Sequence, residues 1–205
     1  MDTSKLLFHM THIDNLPSIL ENNGLNAYSE ISSNGFQYKD IANADIQTRR
    51  SGTRVPLPPG GDLHEYVPFY FAGRSPMLYS IVNSGVKQRE IVYLMSKTSN
   101  IHDSELPFVF TDGHAIMFLT EFYSSLDELE KVDWSIMNER YWSDTEEDPD
   151  RKRRRQAEFL VHKRVPMNQV IGFGVFDNEM KKKVEALLKA HQIVKPVAIR
   201  PHFYY

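Results

Sequence analysis

The chain has 205 residues, which suits one folded domain, and its 41% hydrophobic and 12% aromatic residues can fill a core. The formal net charge of −3 does not indicate a general nucleic-acid binder, although local basic patches can still bind phosphate. The lack of cysteine excludes disulfide scaffolds, thiol nucleophiles and Cys-ligated metals. No signal-peptide pattern or apolar run of ~20 residues is present, so we expect a cytoplasmic protein with no membrane partner.

The first half of the chain alternates strand and helix signals with one long polar segment. Asp14 or Asn15 is expected to cap a helix that has Pro17 in its first turn, with Gly24 as the glycine that ends it. The remaining predicted segments are strands over residues 6–11 and 66–72, a helix over 76–82, and a long functional or disordered loop over 26–64.

The second half has more strand than helix signals. Strands are predicted over residues 90–95, 115–119, 157–162, 169–176 and 194–199, and helices over residues 125–129 and 178–191. Roughly seven strands with short helices between them predict a single α+β domain over residues 1–205.

Glu158 is the most informative single residue, because it lies inside the apolar strand Gln156-Ala157-Glu158-Phe159-Leu160-Val161. A carboxylate in such a strand must be exposed, paired or functional. The strand pattern alone favours a solvent-facing glutamate on a half-buried sheet, because alternating strands usually place polar residues outward.

Two pairs of side chains could contact a flat or sugar-like ligand. In the strand His9-Met10-Thr11, the imidazole and the hydroxyl point the same way and could bind a ribose or an amide. Tyr70 and Tyr79 could flank a flat ring. Taken alone, each pair is as readily explained by ordinary burial in a core.

Basic residues form two clusters. Arg49, Arg50 and Arg54 lie in the long polar segment and could bind a pyrophosphate, or could be solvated. The run of residues 151–155 leads directly into Glu158 and could meet a polyanionic substrate, although the acidic residues 144–150 could neutralise it instead.

Several common motifs are absent. The chain has no glycine-rich dinucleotide fingerprint, no P-loop, no serine nucleophile elbow and no zinc-protease motif. Its histidines and acids show no metal-ligand spacing, so no metal is expected.

The order of these features resembles a known family. A His-x-Thr on an early strand, Tyr-Phe-Ala on a middle strand and a Glu on a late strand resemble the plan of diphtheria-toxin-like and poly(ADP-ribose) polymerase-like ADP-ribosyltransferases. Closer still, the chain is similar to the DarT family of DNA ADP-ribosyltransferase toxins. The matching stretches are residues 9–16, 45–54, 55–61, 66–79 and 154–161.

The resemblance implies a compact ADP-ribosyltransferase fold with a split central β-sheet flanked by short helices. It implies NAD as co-substrate, thymine in single-stranded DNA as a sequence-dependent acceptor, and a block to replication. It further implies a macrodomain antitoxin with ADP-ribosyl glycohydrolase activity as partner. We expect a monomer, with residues 34–53 covering NAD and residues 114–157 recognising the substrate.

The resemblance also implies roles for single residues. Glu158 would stabilise the ribosyl cation, and Arg50, or else Arg49, would assist proton loss from the base, by polarising it or as a base. The residues expected to contact NAD are His9, Met10, Thr11, Gly24, Arg54, Tyr70 and Tyr79. The residues expected to contact DNA are His114, Tyr141, Arg153, Arg154 and Arg155, with Lys163 and Arg164 meeting phosphates.

Two alternatives stay open from the sequence. The same chemistry could act on guanine in DNA, on RNA or on a protein side chain. The chain could also be a non-catalytic nucleic-acid-binding domain that uses the basic run.

Overall fold

The computed structural model describes residues 3–36 and 38–205. An eight-stranded sheet forms the centre, in the order β10-β9-β4-β1-β3-β7-β5-β6, and β2 and β8 form a separate two-stranded sheet. Neighbouring strands of both sheets run antiparallel, except for the parallel pair β9 and β10. The strands are β1 Leu6–His12, β2 Gly24–Asn26, β3 Tyr66–Tyr70, β4 Ile91–Lys97, β5 Phe108–Thr111, β6 Phe122–Tyr123, β7 Glu158–His162, β8 Arg164–Pro166, β9 Gly172–Val175 and β10 Val197–Ile199.

Short helices flank the sheet, as the family resemblance implies. The longest is α8, which buries Met180, Val184 and Leu188 at helical spacing against the core. The α-helices are α1 Leu16–Glu21, α2 Tyr28–Asn34, α3 Ala44–Gly52, α4 Pro76–Asn83, α5 Thr98–Asp103, α6 Trp134–Asn138, α7 Arg151–Arg154 and α8 Asn178–Ala190. Single 3-10 turns or short 3-10 helices cover Ile13–Asn15, Leu63–Glu65, Gln88–Glu90, Leu126–Lys131, Met167–Gln169 and Pro201–Phe203.

The sheet is split between β1 and β3. Strand β1 pairs with β4 at every residue from Leu6 to His12, but with β3 only at Phe8 and Tyr70. Pro68 lies in the middle of β3 and has no N–H to donate, and its carbonyl accepts a hydrogen bond from the His9 ring instead. A side chain therefore replaces the backbone ladder at this junction.

Strand β7 is buried on both faces, which makes the solvent-facing interpretation of Glu158 wrong. Phe159 and Val161 belong to the main core, while Leu160, on the same face as Glu158, packs in a second cluster. That cluster includes Val55, Leu63, Tyr66, Ala115 and Ile116. Two chain segments therefore cover the face on which the carboxylate lies.

Several predicted elements are wrong. The polar segment 26–64 contains helices α2 and α3 rather than one loop. Residues 115–119 form a tight turn with Phe118 fully exposed, and the strands are β5 and β6 on either side of it. Gly24 does not end a helix, since it begins β2 with φ of 151°. No helix within the described ranges is long and apolar enough to cross a bilayer.

Candidate functional site

A cavity opens at the split in the sheet. Strands β1 and β3 form its floor, and α1, α2, α3, α4 and the segment between α2 and α3 surround it. His9, Met10 and Thr11 line it from β1, and Tyr70 lines it from β3. Further lining residues are Tyr28, Ile31, Phe36, Tyr38, Ile41, Ala42, Arg50, Met77 and Ile81. Apolar and aromatic side chains make up most of the wall, and polar side chains such as Asn15, Gln47 and His64 lie among them, as in many small-molecule sites.

Glu158 is fully buried just behind the cavity wall, at the start of β7. Its Oε2 accepts a hydrogen bond from Nη1 of Arg50 at 2.8 Å, and its Oε1 accepts one from the backbone N–H of Ala115 at 3.0 Å. Its own N–H donates to Oγ1 of Thr111 at 3.0 Å. The carboxylate is therefore held in one orientation from two sides.

Arg50 separates Glu158 from the cavity. Its side chain is 9% exposed and lines the cavity from α3. Burial is the largest single influence and opposes its charge, but the charge and hydrogen bond of Glu158, together with Tyr70 and Tyr38, hold the pKa of Arg50 above its ordinary value. Arg50 is therefore a charged group at neutral pH. Arg49, by contrast, points outward and donates to the carbonyl of Ile116 at 3.0 Å.

The two rings of His9 and Tyr70 are neutral at physiological pH. Burial lowers the pKa of His9 to about 4. Its Nδ1 lies 2.8 Å from the carbonyl oxygen of Pro68, which cannot donate, so Nδ1 carries the proton and Nε2 is left as an acceptor. Burial and the nearby Glu158 carboxylate raise the pKa of Tyr70, which keeps its hydroxyl protonated.

Asn15 ties the segment over the cavity to its floor. Its Nδ2 donates to Oγ1 of Thr11 at 3.1 Å and to the carbonyl of Lys39 at 2.9 Å. Its Oδ1 accepts from the backbone N–H of Lys39 at 2.6 Å. Asn15 was not singled out from the sequence, where it looked like a helix cap; it makes no side-chain cap hydrogen bond to α1.

Two residues expected at NAD do not lie on the cavity wall. Tyr79 lies two residues after Met77 in α4, so it faces away from the cavity, and it is 47% exposed. Arg54 is exposed, and beyond the end of α3 its backbone forms an isolated antiparallel β-bridge with that of Asp62. Gly24 does line the cavity. A Cβ there would lie 2.4 Å from the carbonyl oxygen of Val165, so the close approach of β8 also demands glycine.

The basic run before Glu158 is largely neutralised by acidic side chains, which is the alternative that the sequence left open. Arg153 pairs with Asp112 at 3.0 Å and with Asp150 at 2.8 Å. Arg154 pairs with Asp133 and Asp148. Within the run, Lys152 has an exposed side chain.

Arg155 has a different, internal position. It is 4% exposed and donates to the carbonyls of Ile136 and Arg74. The expectation that it contacts DNA is therefore not supported. Lys163 is exposed, as is Arg164, which donates to the carbonyl of Asn22.

The segment before Glu158 brings His114 close to the carboxylate. Nε2 of His114 lies 3.9 Å from Oε1 of Glu158 and has no hydrogen-bond partner among the described residues. Burial lowers the pKa of His114, so the ring is neutral at pH 7. Tyr141, further along the segment, is 73% exposed.

The tip of this segment is a feature that the sequence interpretation missed. Met117, Phe118 and Leu119 are 42%, 100% and 73% exposed, and the turn that carries them starts at the N–H that holds Glu158. An apolar run of this length also fits a buried strand, which is how it was interpreted. No group of three or more ligating side chains that could hold a metal occurs in residues 3–36 and 38–205.

Comparison with known proteins gives consistent matches over the whole chain. Residues 8–205 match the family model described as ssDNA thymidine ADP-ribosyltransferase, DarT. A DNA ADP-ribosyl transferase from Thermus sp. (strain 2.9) is 39% identical over 205 residues, covering 97% of this chain and 95% of the relative.

Solved structures agree with the sequence matches. Thermus sp. 2.9 DarT in complex with ADP-ribosylated ssDNA superposes with a TM-score of 0.91 at 38% identity, covering 98% of this chain and 96% of the other. The same protein in complex with NAD+ gives a TM-score of 0.86 at 35% identity and covers 98% of both chains. A DNA ADP-ribosyl transferase–DNA ADP-ribosyl glycohydrolase fusion protein from Thermosipho africanus is 28% identical, and this chain spans about half of it (49%).

Proposed function

Because this chain belongs to the DarT family of single-stranded DNA thymidine ADP-ribosyltransferases, we propose that the cavity at the split in the sheet binds NAD, that Glu158 acts on NAD and that Arg50 acts on the acceptor base. The enzyme cleaves NAD and transfers ADP-ribose to thymine in single-stranded DNA. One observation carries the assignment of residues: a buried carboxylate is paired at 2.8 Å with an arginine that lines the cavity.

NAD binds with its nicotinamide–ribose half over β1. His9 offers Nε2 as an acceptor, Thr11 offers a hydroxyl and Tyr70 a protonated hydroxyl, while Met10 supplies apolar contact. Residues 34–53 close over the nucleotide, since Phe36 and Tyr38 face the cavity. Through Asn15, this covering segment is tied to Thr11 itself.

Glu158 stabilises the positive charge that develops on the ribose. When the bond from C1′ of the ribose to the nicotinamide nitrogen breaks, both bonding electrons leave with nicotinamide and the sugar becomes an oxocarbenium-like cation. The buried carboxylate stabilises that charge, and the backbone N–H of Ala115 keeps it oriented when Arg50 is displaced. A rotation of Arg50 away from Glu158 brings the carboxylate into reach of the sugar.

Arg50 acts on the acceptor base as a charged donor. In thymidine, N3 is the ring nitrogen that does not carry the sugar, and its lone pair forms the new bond to C1′ while its proton leaves. Since the pKa of Arg50 lies above its ordinary value, Arg50 does not take that proton. It polarises a carbonyl of the base, so that N3 loses its proton more easily to water or to a neighbouring group. Arg50 is preferred to Arg49, whose guanidinium points away from the cavity and donates to the loop carbonyl of Ile116.

Residues 114–157 recognise the DNA. In a duplex, pairing hides N3 of thymine, so an unpaired strand is the accessible substrate. The neutral ring of His114 beside Glu158 and the exposed ring of Tyr141 supply contacts to bases, and with them the dependence on sequence. Lys152 and Lys163, which are exposed, replace the paired arginines as contacts to phosphate.

The biological role follows from the reaction. Bulky ADP-ribose on template thymines blocks replication, so the protein acts as a toxin. It works in the cytoplasm, as a monomer. The Thermosipho africanus fusion joins such a transferase to a DNA ADP-ribosyl glycohydrolase. A macrodomain glycohydrolase that removes the modification is therefore the antitoxin partner.

The test mixes the protein and NAD with short oligonucleotides of each base, an RNA and a control protein, and measures masses. ADP-ribose added to single-stranded thymidine oligonucleotides, and lost in Glu158→Ala, is the expected result. Addition to guanine, RNA or protein alone would refute the acceptor. DNA binding without consumption of NAD would favour the non-catalytic alternative.

A further inference from the structure

Three aromatic side chains from distant parts of the chain meet on the face of α4 that points away from the cavity. The ring of Tyr79 lies 5.7 Å from that of Trp142 and 5.3 Å from that of Tyr205, with interplanar angles of 69° and 65°. Tyr79 is 47% exposed, and its hydroxyl makes no hydrogen bond within the described part of the chain. We call these three residues the aromatic platform.

The platform is rigid beneath its exposed ring. Nε1 of Trp142 donates to Oη of Tyr205 at 2.7 Å, and Oη of Tyr205 donates to the carbonyl of Ser75 at 2.9 Å. Gln88 holds the backbone of Tyr205 through two further hydrogen bonds, of 2.7 and 2.9 Å. The half-exposed ring of Tyr79 therefore packs on two rings that hydrogen bonds hold in place.

Two arginines without an ion-pair partner among the described residues lie on the Tyr205 side of the platform, Arg74 against the ring and Arg155 buried behind it. The guanidinium of Arg74 lies 4.5 Å from the centre of the Tyr205 ring, and the buried Arg155 donates to the Arg74 carbonyl at 2.9 Å. Neither arginine forms an ion pair with an acidic side chain of residues 3–36 and 38–205, in contrast with Arg153 and Arg154. A half-exposed ring with the partly exposed Arg74 nearby complements a base and its phosphate, because every base has a flat face and every linkage a negative charge.

The platform is joined to the site already described. Arg155 lies three residues before Glu158, and Arg74 lies four residues after Tyr70, whose Cα pairs with that of Glu158. Trp142 belongs to residues 114–157, the segment assigned to DNA. A strand with its target base at Glu158 therefore has the platform within a few nucleotides.

We propose that the aromatic platform is a second nucleotide subsite, in which Tyr79 stacks on a base that flanks the target thymine and Arg74 contacts its phosphate. This proposal rests on single-stranded DNA being the acceptor. It also assigns to Tyr79 a role that differs from the nicotinamide contact expected from the sequence. The subsite raises affinity for longer oligonucleotides and leaves the chemistry at Glu158 alone.

The experiment compares Tyr79→Ala with Tyr79→Phe, which keeps the ring, and with Val194→Ala, a truncation at a residue 96% exposed outside the site. Steady-state rates are measured against NAD and against a thymidine-containing oligonucleotide in which each flanking position is made abasic in turn. Tyr79→Ala is expected to raise KM for the intact oligonucleotide about 5- to 100-fold, the range for loss of one base stack. KM for NAD should stay within twofold.

The abasic series makes the result specific. The wild type and Tyr79→Phe should lose affinity at one flanking position, and Tyr79→Ala should be insensitive to an abasic site there. Equal sensitivity of wild type and Tyr79→Ala at every position would overturn the subsite. A raised KM for NAD in Tyr79→Ala would also overturn it, and would indicate that Tyr79 contacts NAD instead. If the wild type modifies no oligonucleotide, the proposed function itself fails, which is a different outcome from failure of the subsite.

Discussion

The buried pair of Arg50 and Glu158 allows stability and catalysis to be separated by mutation. In Glu158→Gln, the Arg50 side chain, 9% exposed, is left without a carboxylate. Breaking a buried ion pair in this way costs about 3–5 kcal/mol. For a chain of about this length, that lowers the melting temperature by roughly 6–20 °C, at about 2–4 °C per kcal/mol. The transfer rate should fall by at least about 10²-fold, because the charge that faces the ribosyl cation is gone.

The double variant Arg50→Met/Glu158→Gln is the control, because it removes both charges. It should regain most of the lost melting temperature, since replacing a buried pair by uncharged groups is often neutral, and it should regain no activity. Thermal unfolding by circular dichroism gives the first quantity, and the mass of the modified oligonucleotide gives the second. A Glu158→Gln protein that melts within about 2 °C of the wild type would refute the structural part of the reasoning. A double variant with wild-type activity would refute the catalytic part.

Three further predictions concern the floor of the cavity, the basic run and strand β2. Burial lowers the pKa of His9 to about 4, so between pH 6.5 and 4 the unfolded chain binds a proton that the folded chain does not. The wild type therefore loses about 3 kcal/mol of stability from this group as the pH falls through that range. In His9→Asn, urea titrations at the two pH values should show a loss of stability smaller by that amount, and KM for NAD should rise. Arg154→Ala should lower the melting temperature, because it breaks ion pairs. Lys152→Ala should instead reduce the slope of log affinity against log salt concentration by about one in DNA-binding titrations. The reverse pattern would mean that the aspartates do not neutralise the run. Gly24→Ala should destabilise the protein in the same urea titrations, because its Cβ would lie 2.4 Å from the carbonyl oxygen of Val165, and an unchanged midpoint would contradict that packing.

The sequence predicted which residues come together at the cavity, because the order of a few positions along the chain carries that information. His9, Thr11, Tyr70 and Glu158 lie on strands that the pattern identified, and the family order implied that these strands meet. The resemblance favoured Arg50 over Arg49. The structure places Arg50 against Glu158, although Arg54 itself lies outside the cavity.

The failures have physical causes that a pattern does not contain. The resemblance implied that Tyr79 contacts NAD, but in the helix that begins at Pro76 this residue lies off the face that lines the cavity. The sequence left open whether the basic run is free or neutralised, because only the tertiary fold brings Asp112, Asp133 and Asp148 to it. Solvent exposure of Glu158 was inferred from alternation, which fails where other segments cover a sheet on its second face.

The incomplete ladder between β1 and β3 has a consequence for hydrogen exchange. On the side of β1 that faces β4, the backbone pairs with its neighbour strand from Leu6 to His12. On the side that faces β3, the backbone pairs at one position only. Amide protons on the two sides of the same strand should therefore exchange with deuterium at very different rates, since unpaired amides open without breaking the sheet. A proline in β3 thus creates a line of low protection through the centre of an otherwise well-protected sheet. Because the cavity that we propose for NAD lies over that line, slower exchange along β1 on addition of NAD would measure how tightly the nucleotide is held.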